Sequence, residues 1–423
     1  MKILWVKSGG LAPLDSGGKI RSYQILRELC RRHEVTLALS YAAKEDGAHG
    51  ELESQFARLI RWPVAAPEWG TLAGRTAYVR NFLSTRPRSV VRFCRPEMAR
   101  ELRSLARAER IDLIVCDFVF AAPMVPWNVD VPKVLFTHNV EATICRRHFE
   151  VERNPIWKAV WWREYMSAAR MERKYILAAD HVLTVSEEDR RHFCKFSDAA
   201  KSTAIPTGVD IRYFQPQPAM EEANNLVFTG SMDWRPNEDG ITFFAQTIFP
   251  KIRRSIPGAV LWVVGRNPST ALQRVAEKES GIRVTGRVED VRPYMGRGSV
   301  YVVPLRVGSG TRLKIFEAMA MGKAVVSTTI GAEGLPVTHG KNVLLADEPD
   351  DFANQVTGLL QNEPRRHELG SAARDLVEQH YSWERVAGDC EAIFNRVVEQ
   401  YAQKKAMNMG LSKPIEGFPQ VDQ

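Results

Sequence analysis

Apolar residues fall in short runs, each followed by a polar loop and then a segment of helical spacing. One set of runs lies near residues 2–6, 34–40, 111–116, 133–137 and 181–185. Runs of this length predict buried strands, and their alternation with helical segments predicts βαβ units and a parallel sheet. A second set begins near 226–229 and continues through 260–264, 282–285, 300–304, 324–327 and 342–345. The restart predicts an α/β chain with two doubly wound domains in tandem. Between the sets, IPTGVDIRYFQPQPAMEEANN (205–225) is rich in proline and polar residues and reads as the link. The boundaries follow: 1–207 and 208–385 for the two domains, a C-terminal helix over 386–405 packing back on the first domain, and a flexible tail over 406–423. Ligands of such sheets bind at the carboxyl ends of the strands, so this reading sets two substrates against a central cleft, one per domain.

Composition supports two cores. The chain has 423 residues, of which 44% are hydrophobic. No run reaches the roughly 18 apolar residues of a membrane span, and MKILWVKSGG lacks the anatomy of a signal peptide, which predicts a cytoplasmic protein. The six cysteines form no Cys-x-x-Cys pair and read as buried thiols, with neither zinc nor disulfide expected. A net charge of +8 suits nucleic acid, an anionic membrane or phosphorylated ligands, and charge alone does not choose among them. The excess is local, with ten arginines against three acids between Arg75 and Arg110. Together with Trp157, Trp161 and Trp162 near Arg153, Lys158 and Arg163, that stretch suits an anionic lipid surface at the inner face of a membrane. A solvated helix face above buried tryptophans is the alternative. Nucleic-acid binding is the weaker reading, because the arginines are not interleaved with aromatics and no recognised module is present.

The segment VVPLRVGSGTRLKIFEAMAMGKAVVST (302–328) carries the most chemistry. It reads as a strand, a Gly308-Ser309-Gly310 loop and an apolar helix from about Thr311 to the stop at Gly322. Glycines permit close backbone approach, and first-turn amides with the helix dipole make an anion site suited to a diphosphate. Arg312 and Lys314 oppose that dipole unless an anion sits between them. Gly310, Lys314 and Glu317 share one helix face, where Glu317 is placed to accept bonds from the two hydroxyls of a ribose. A surface Lys314–Glu317 pair is the plainer alternative.

With FTGSMDWRPNEDG (228–240), VVGR (263–266) and TGRVEDVRPYM (285–295), this segment resembles the donor half of family 4 glycosyltransferases of the two-Rossmann GT-B type, over about residues 1–400. The resemblance implies two tandem Rossmann-like domains, the first for the acceptor and the second for a nucleotide-sugar donor. It assigns ribose binding to Glu317 and diphosphate neutralisation to Arg235, Arg312 and Lys314. Arg266, Val288, Ser309, Gly310 and Thr311 fall in the same donor-binding segments. Two departures stand out. The family's glutamate pair would need an acid at 309, where this chain has Ser309. Its lysine shortly after the position of Arg235 is replaced by Asn237-Glu238-Asp239, which leaves Lys314 to supply the second charge.

In the first domain, Gly17-Gly18 follows the first strand. Any tight βα turn can use such a pair, and the resemblance makes it a loop that closes over the donor phosphate and sugar. His138, just past the strand VLFT, lies where a sugar-contacting histidine is placed in the family, with Asn139 and Glu141 beside it. Ser186 reads as a helix cap. No two aspartates stand two apart, so the Asp-x-Asp metal clamp of the other glycosyltransferase architecture is absent from the sequence. The expectation is metal-independent transfer, with His138, Arg235 and Lys314 as the catalytic set, no cofactor, and charge on the leaving diphosphate met by cations and amides. The resemblance further implies retention of configuration, a hexose-type sugar, and a polysaccharide, lipid-linked or other glycan acceptor. A nucleotide-sugar epimerase of the same fold is the alternative within this architecture, and a nucleic-acid-binding protein the alternative outside it.

Overall fold

The computed structural model describes residues 1–14, 16–65, 71–80, 84–232, 234–307 and 313–408. The chain divides into two compact units, Met1–Ile205 with the C-terminal segment from Ala387, and Pro206–Val386.

The first unit holds β1 (Lys2–Ser8), β2 (Glu34–Ala42), β3 (Arg58–Val64), β4 (Leu113–Asp117), β5 (Lys133–Phe136), β6 (His181–Thr184) and β7 (Ser202–Ala204). They form one parallel sheet in the order β3-β2-β1-β4-β5-β6-β7. Its central strands are buried on both faces, which is why they read as continuous apolar runs. The apolar pattern misses β3 and β7 for a physical reason. Both are edge strands, β3 carrying Arg58, Arg61 and Pro63 and β7 only three residues long, and edges are kept polar or short against further pairing.

The helices that matter for function are α1 (Gly17–Leu29), α2 (Pro96–Ala108), α3 (Glu141–Val151), α4 (Pro155–Ala178) and α5 (Glu187–Phe193). α2 buries Met98, Leu102, Leu105 and Ala106 and turns its arginines outward. Part of the expected basic face is already engaged, since Arg100 pairs with Glu97 and Arg95 donates to three backbone carbonyls. α4 starts where Asn154 accepts the N–H groups of Ile156 and Trp157 and Pro155 presets the first helical φ. The Ser186 hydroxyl caps α5 by accepting from Asp189 N at 3.0 Å. The C-terminal helix Trp383–Asn408 binds the first unit beyond Ala387, with Glu391 pairing to Arg32 and His33 at 2.9 Å each and the Tyr401 hydroxyl donating to Asp130. Cys94, Cys116 and Cys390 are buried thiols, whereas Cys30, Cys145 and Cys194 are only half-buried, which corrects the reading of all six as buried.

The second unit holds β8 (Asn225–Thr229), β9 (Val260–Val264), β10 (Ile282–Gly286), β11 (Val300–Val303), β12 (Ala324–Ser327) and β13 (Leu344–Leu345), parallel throughout in the order β10-β9-β8-β11-β12-β13. Two helices bear on its site, α6 (Arg235–Phe243) and α7 (Leu313–Ala320). α7 is followed by Gly322 at φ +67°, a left-handed stop that glycine adopts without strain. The stretch 206–225, expected as a link, is folded into this unit. Val209 N donates to Tyr381 O at 2.7 Å, and a Cβ on Gly208 would lie 2.6 Å from the Trp383 ring.

Candidate functional site

Strand order reverses between β1 and β4 in the first unit and between β8 and β11 in the second, and the crevice at such a point is where doubly wound sheets bind ligands. Each unit gathers polar groups there.

In the first unit Lys7 stands near the end of β1 and Asp117 ends β4. Asp117 Oδ2 accepts from Trp5 Nε1 at 2.9 Å and pairs with Lys7 Nζ at 3.2 Å, while Oδ1 lies 2.6 Å from His138 Nε2. A carboxylate only accepts, so Nε2 carries the proton and Nδ1 is left as the acceptor, 3.4 Å from Arg21 Nη1. Lys7 also donates to Ser22 Oγ at 3.0 Å. His138 is 4% exposed. Burial lowers its pKa to about 4 against the pull of Asp117, with Lys7 and Arg21 adding to the drop, so the imidazole is neutral near pH 7. Burial alone would raise the Asp117 pKa, yet Lys7 and His138 hold its carboxyl well below the usual range. Burial brings Arg21 down to about 10, opposed by Asp189 and Asp117. Phe118, the residue after Asp117, takes φ +79°, a strained conformation at the strand end.

His138 was singled out from sequence, whereas Lys7, Arg21, Ser22 and Asp117 were not. The available signal was an acid and a lysine closing two apolar strands, residues whose burial only partners can support. Gly17 opens α1, whose N-cap Ser16 makes no side-chain cap bond and whose first turn holds no acid. A Cβ on Gly18 would lie 3.9 Å from the His138 ring, ordinary contact, so Gly18 places the helix start beside the histidine without being demanded by space. Glu141, the first residue of α3, is 9% exposed, accepts from Asn139 Nδ2 at 3.2 Å, and is pushed up by burial to about 7. The N–H groups of Glu141 and Ala142 donate to the buried Glu172, itself raised by burial to about 8.

In the second unit the ends of β8 and β9 meet closely. A Cβ on Gly265 would stand 1.8 Å from Gly230 O, so glycine is required for the backbones to touch. A Cβ on Gly230 would lie 2.7 Å from both Asn237 Nδ2 and Lys314 Nζ. Lys314, in the first turn of α7, donates to Asn237 Oδ1 at 2.6 Å and stands over the Phe228 ring at 4.3 Å. Asn237 sits in the very stretch that replaces the family's lysine. Its amide instead holds Lys314 at the strand end, with its own Nδ2 donating to Ser231 O. Arg266 Nε donates to Ser231 Oγ at 2.8 Å. Arg235 opens α6, is exposed, and makes no hydrogen bond or ion pair among the described residues.

Glu317 lies one turn into α7 and is half-buried. Burial pushes its carboxyl up to about 7, with Lys314 pulling it back in part, and no described residue donates a hydrogen bond to it. That environment differs from a solvated surface pair with Lys314. Val288 packs its side chain against the apolar cluster of this unit. The structure thus gathers Arg266 and Lys314 around the β8 end, with Glu317 on the helix that carries Lys314. Ser309, Gly310, Thr311 and Arg312 lie outside the described residues. Among the described residues no group of three or more His, Cys, Asp or Glu side chains is placed to hold a metal ion, and no helix is long and apolar enough to cross a membrane.

Two parallel doubly wound sheets, each with polar groups at its switch point, define the GT-B class of glycosyltransferase folds. A family model described as Glycosyltransferase Family 4 matches residues 16–213, and one described as Glycosyl transferases group 1 matches 223–362. The chain belongs to the family 4 glycosyltransferases. An uncharacterized 44.6 kDa protein in the cps region of Klebsiella pneumoniae is 21% identical over 91% of this chain and 97% of its own length. A GDP-mannose-dependent α-(1-6)-phosphatidylinositol monomannoside mannosyltransferase of Mycobacterium tuberculosis is 27% identical over 54% of the chain and 65% of its own length, just under two thirds of that protein. Among solved structures, sucrose-phosphate synthase from Thermosynechococcus elongatus superposes with TM-score 0.67 at 16% identity, covering 94% of this chain and 99% of its own. Anabaena Alr3699/HepE in complex with UDP gives TM-score 0.64 at 16% identity, covering 94% and 100%.

Proposed function

We propose that this glycosyltransferase moves a hexose-type sugar from a nucleoside-diphosphate sugar to a glycan or lipid-linked acceptor, with retention and without a metal. The observation that carries the reading is Glu317, a carboxylate raised to about 7 by burial, given no hydrogen bond by any described residue and carried on the same helix as Lys314. Two ribose hydroxyls would satisfy it, and Lys314, Arg235 and Arg266 would meet the diphosphate. The printed names of relatives support a sugar nucleotide, since one uses GDP-mannose and another was solved with UDP. His138, neutral and with its Nε2–H donating to Asp117, would offer only Nδ1, as an acceptor, to a hydroxyl of the transferred sugar. In the retaining route implied by the family, a donor phosphate oxygen takes the acceptor proton.

Membrane association at the inner face belongs to the same reading. α4 exposes Ile156, Trp157 and Trp162, with Trp162 at 52%, near the exposed Arg153 and Lys158. Arg163 is instead spent on Ser84 O, Arg86 O and Glu164.

The test is calorimetry with UDP and GDP on wild type, Glu317→Gln and Glu317→Ala. Each charge-assisted bond is worth roughly 1.5–3 kcal/mol, so Ala should lower affinity by at least tenfold and Gln by less. Unchanged affinity in a folded Glu317→Ala protein would sink the assignment, and transfer abolished by EDTA and restored by manganese would sink metal independence.

A further inference from the structure

A cavity of about 650 Å³ lies within the first unit. Its walls include Phe120, Glu141, Ile144, Trp157 and Trp161. Its size falls among small-molecule sites, which run from roughly 300 to 1,000 Å³. The His148 ring stacks on Trp161 with centroids 4.2 Å apart and fixes the plane of that indole.

Glu141 supplies the second, independent observation. It is nine-tenths buried, lines the cavity, and accepts one hydrogen bond, on Oε1 from Asn139. No described residue donates to its other oxygen, so acceptor capacity is left for a ligand. Charge then narrows the ligand. Among the described residues that line the cavity, Glu141 and Glu152 stand against Arg88, with Glu164 paired to Arg163, and this balance does not favour a phosphorylated guest. Indole and phenyl walls with an acceptor carboxylate suit a neutral ring that has an apolar C–H face and hydroxyl donors. Glu141 opens α3 three residues after His138, so a ring held by its carboxylate would be bound by the same stretch that carries the histidine assigned to the transferred sugar.

We propose that this cavity binds the neutral, hydroxyl-rich sugar ring of the acceptor, with Glu141 accepting a ring hydroxyl and Trp157 and Trp161 packing against its C–H face. The proposal rests on the glycosyltransferase reading and deepens it, by assigning the acceptor class and the residues that orient it.

Saturation-transfer NMR on the full chain with methyl α-mannopyranoside, methyl α-glucopyranoside and maltose tests it, with glucose 6-phosphate and octanoate as the charged and purely apolar counterparts. At least one neutral glycoside should receive saturation, and the signal should fall fivefold or more in Glu141→Ala and in Trp161→Ala. Ile144→Trp, which fills the cavity and keeps the carboxylate, should do the same and covers the case in which the other variants fail to fold. UDP and GDP affinities should stay at wild-type values in all three. Absence of transfer to every neutral glycoside, equal transfer in wild type and variants, or preference for octanoate or glucose 6-phosphate would overturn the assignment. Intact nucleoside-diphosphate binding with any of those outcomes locates the failure in the cavity. Loss of nucleoside-diphosphate binding in wild type locates it in the glycosyltransferase reading.

Discussion

The two strand-end sites are built on opposite plans. In the first unit Lys7, Asp117, His138 and Arg21 are all nearly buried and satisfy one another. In the second, Arg235 and Arg266 are exposed, Lys314 donates to the Asn237 amide, and Glu317 receives no hydrogen bond from a described residue. The first arrangement pairs its groups internally, with Asp117 between Lys7 and His138, and fixes the position and tautomer of a single histidine. The second leaves acceptor capacity on Glu317 among the described residues and sets Arg235 and Arg266 at the surface, which is what the proposed donor, an anion carrying its own hydroxyl donors, would need.

The largest effect should come from the saturated side. Asp117→Ala strips the partner from a buried lysine and a buried histidine, and breaking a buried pair from one side costs about 3–5 kcal/mol. Urea denaturation should show that loss, while Arg235→Ala, an exposed change, should stay within about 0.5 kcal/mol. Equal stability of the two variants would erase the contrast.

A middle-sized effect belongs to Gly230→Ala. The new Cβ would meet Lys314 Nζ and Asn237 Nδ2 at 2.7 Å, the mobile ends of side chains, so they should move and the fold should hold. We expect about tenfold weaker nucleoside-diphosphate binding, worth about 1.4 kcal/mol, with little change in melting temperature. A full-strength site in Gly230→Ala would show that the Lys314–Asn237 contact does not serve the ligand.

Two further effects are in pH dependence, and they have opposite signs. His138 has a folded pKa of about 4 against an ordinary 6.5, so between those values the unfolded chain binds more protons and stability falls as pH drops. Glu317 has a folded pKa of about 7 against 4.5, so between those values the folded chain holds more protons and stability falls as pH rises. His138→Gln should flatten the acid side of a melting-temperature profile, and Glu317→Gln the side between pH 5 and 7. A profile unchanged by either substitution would mean that the two groups are not buried as described.

Much of this was legible in the sequence. All eleven expected strands form, because a parallel sheet buried on both faces leaves an apolar run wherever it passes through the core. His138, Lys314 and Glu317 could be named because each sits at a fixed offset from such a run. What local pattern could not reveal were edge strands β3 and β7, whose residues answer to solvent, and the partners of His138. Lys7, Asp117 and Arg21 are separated by up to 110 residues, from Lys7 to Asp117, and become neighbours only through strand order. The sequence by itself determined the α/β class, the two-sheet organisation and the family, since these follow from periodicity and short motifs. Tertiary structure alone decided which charges are spent and which are open, because burial and pairing depend on residues brought together from distant parts of the chain.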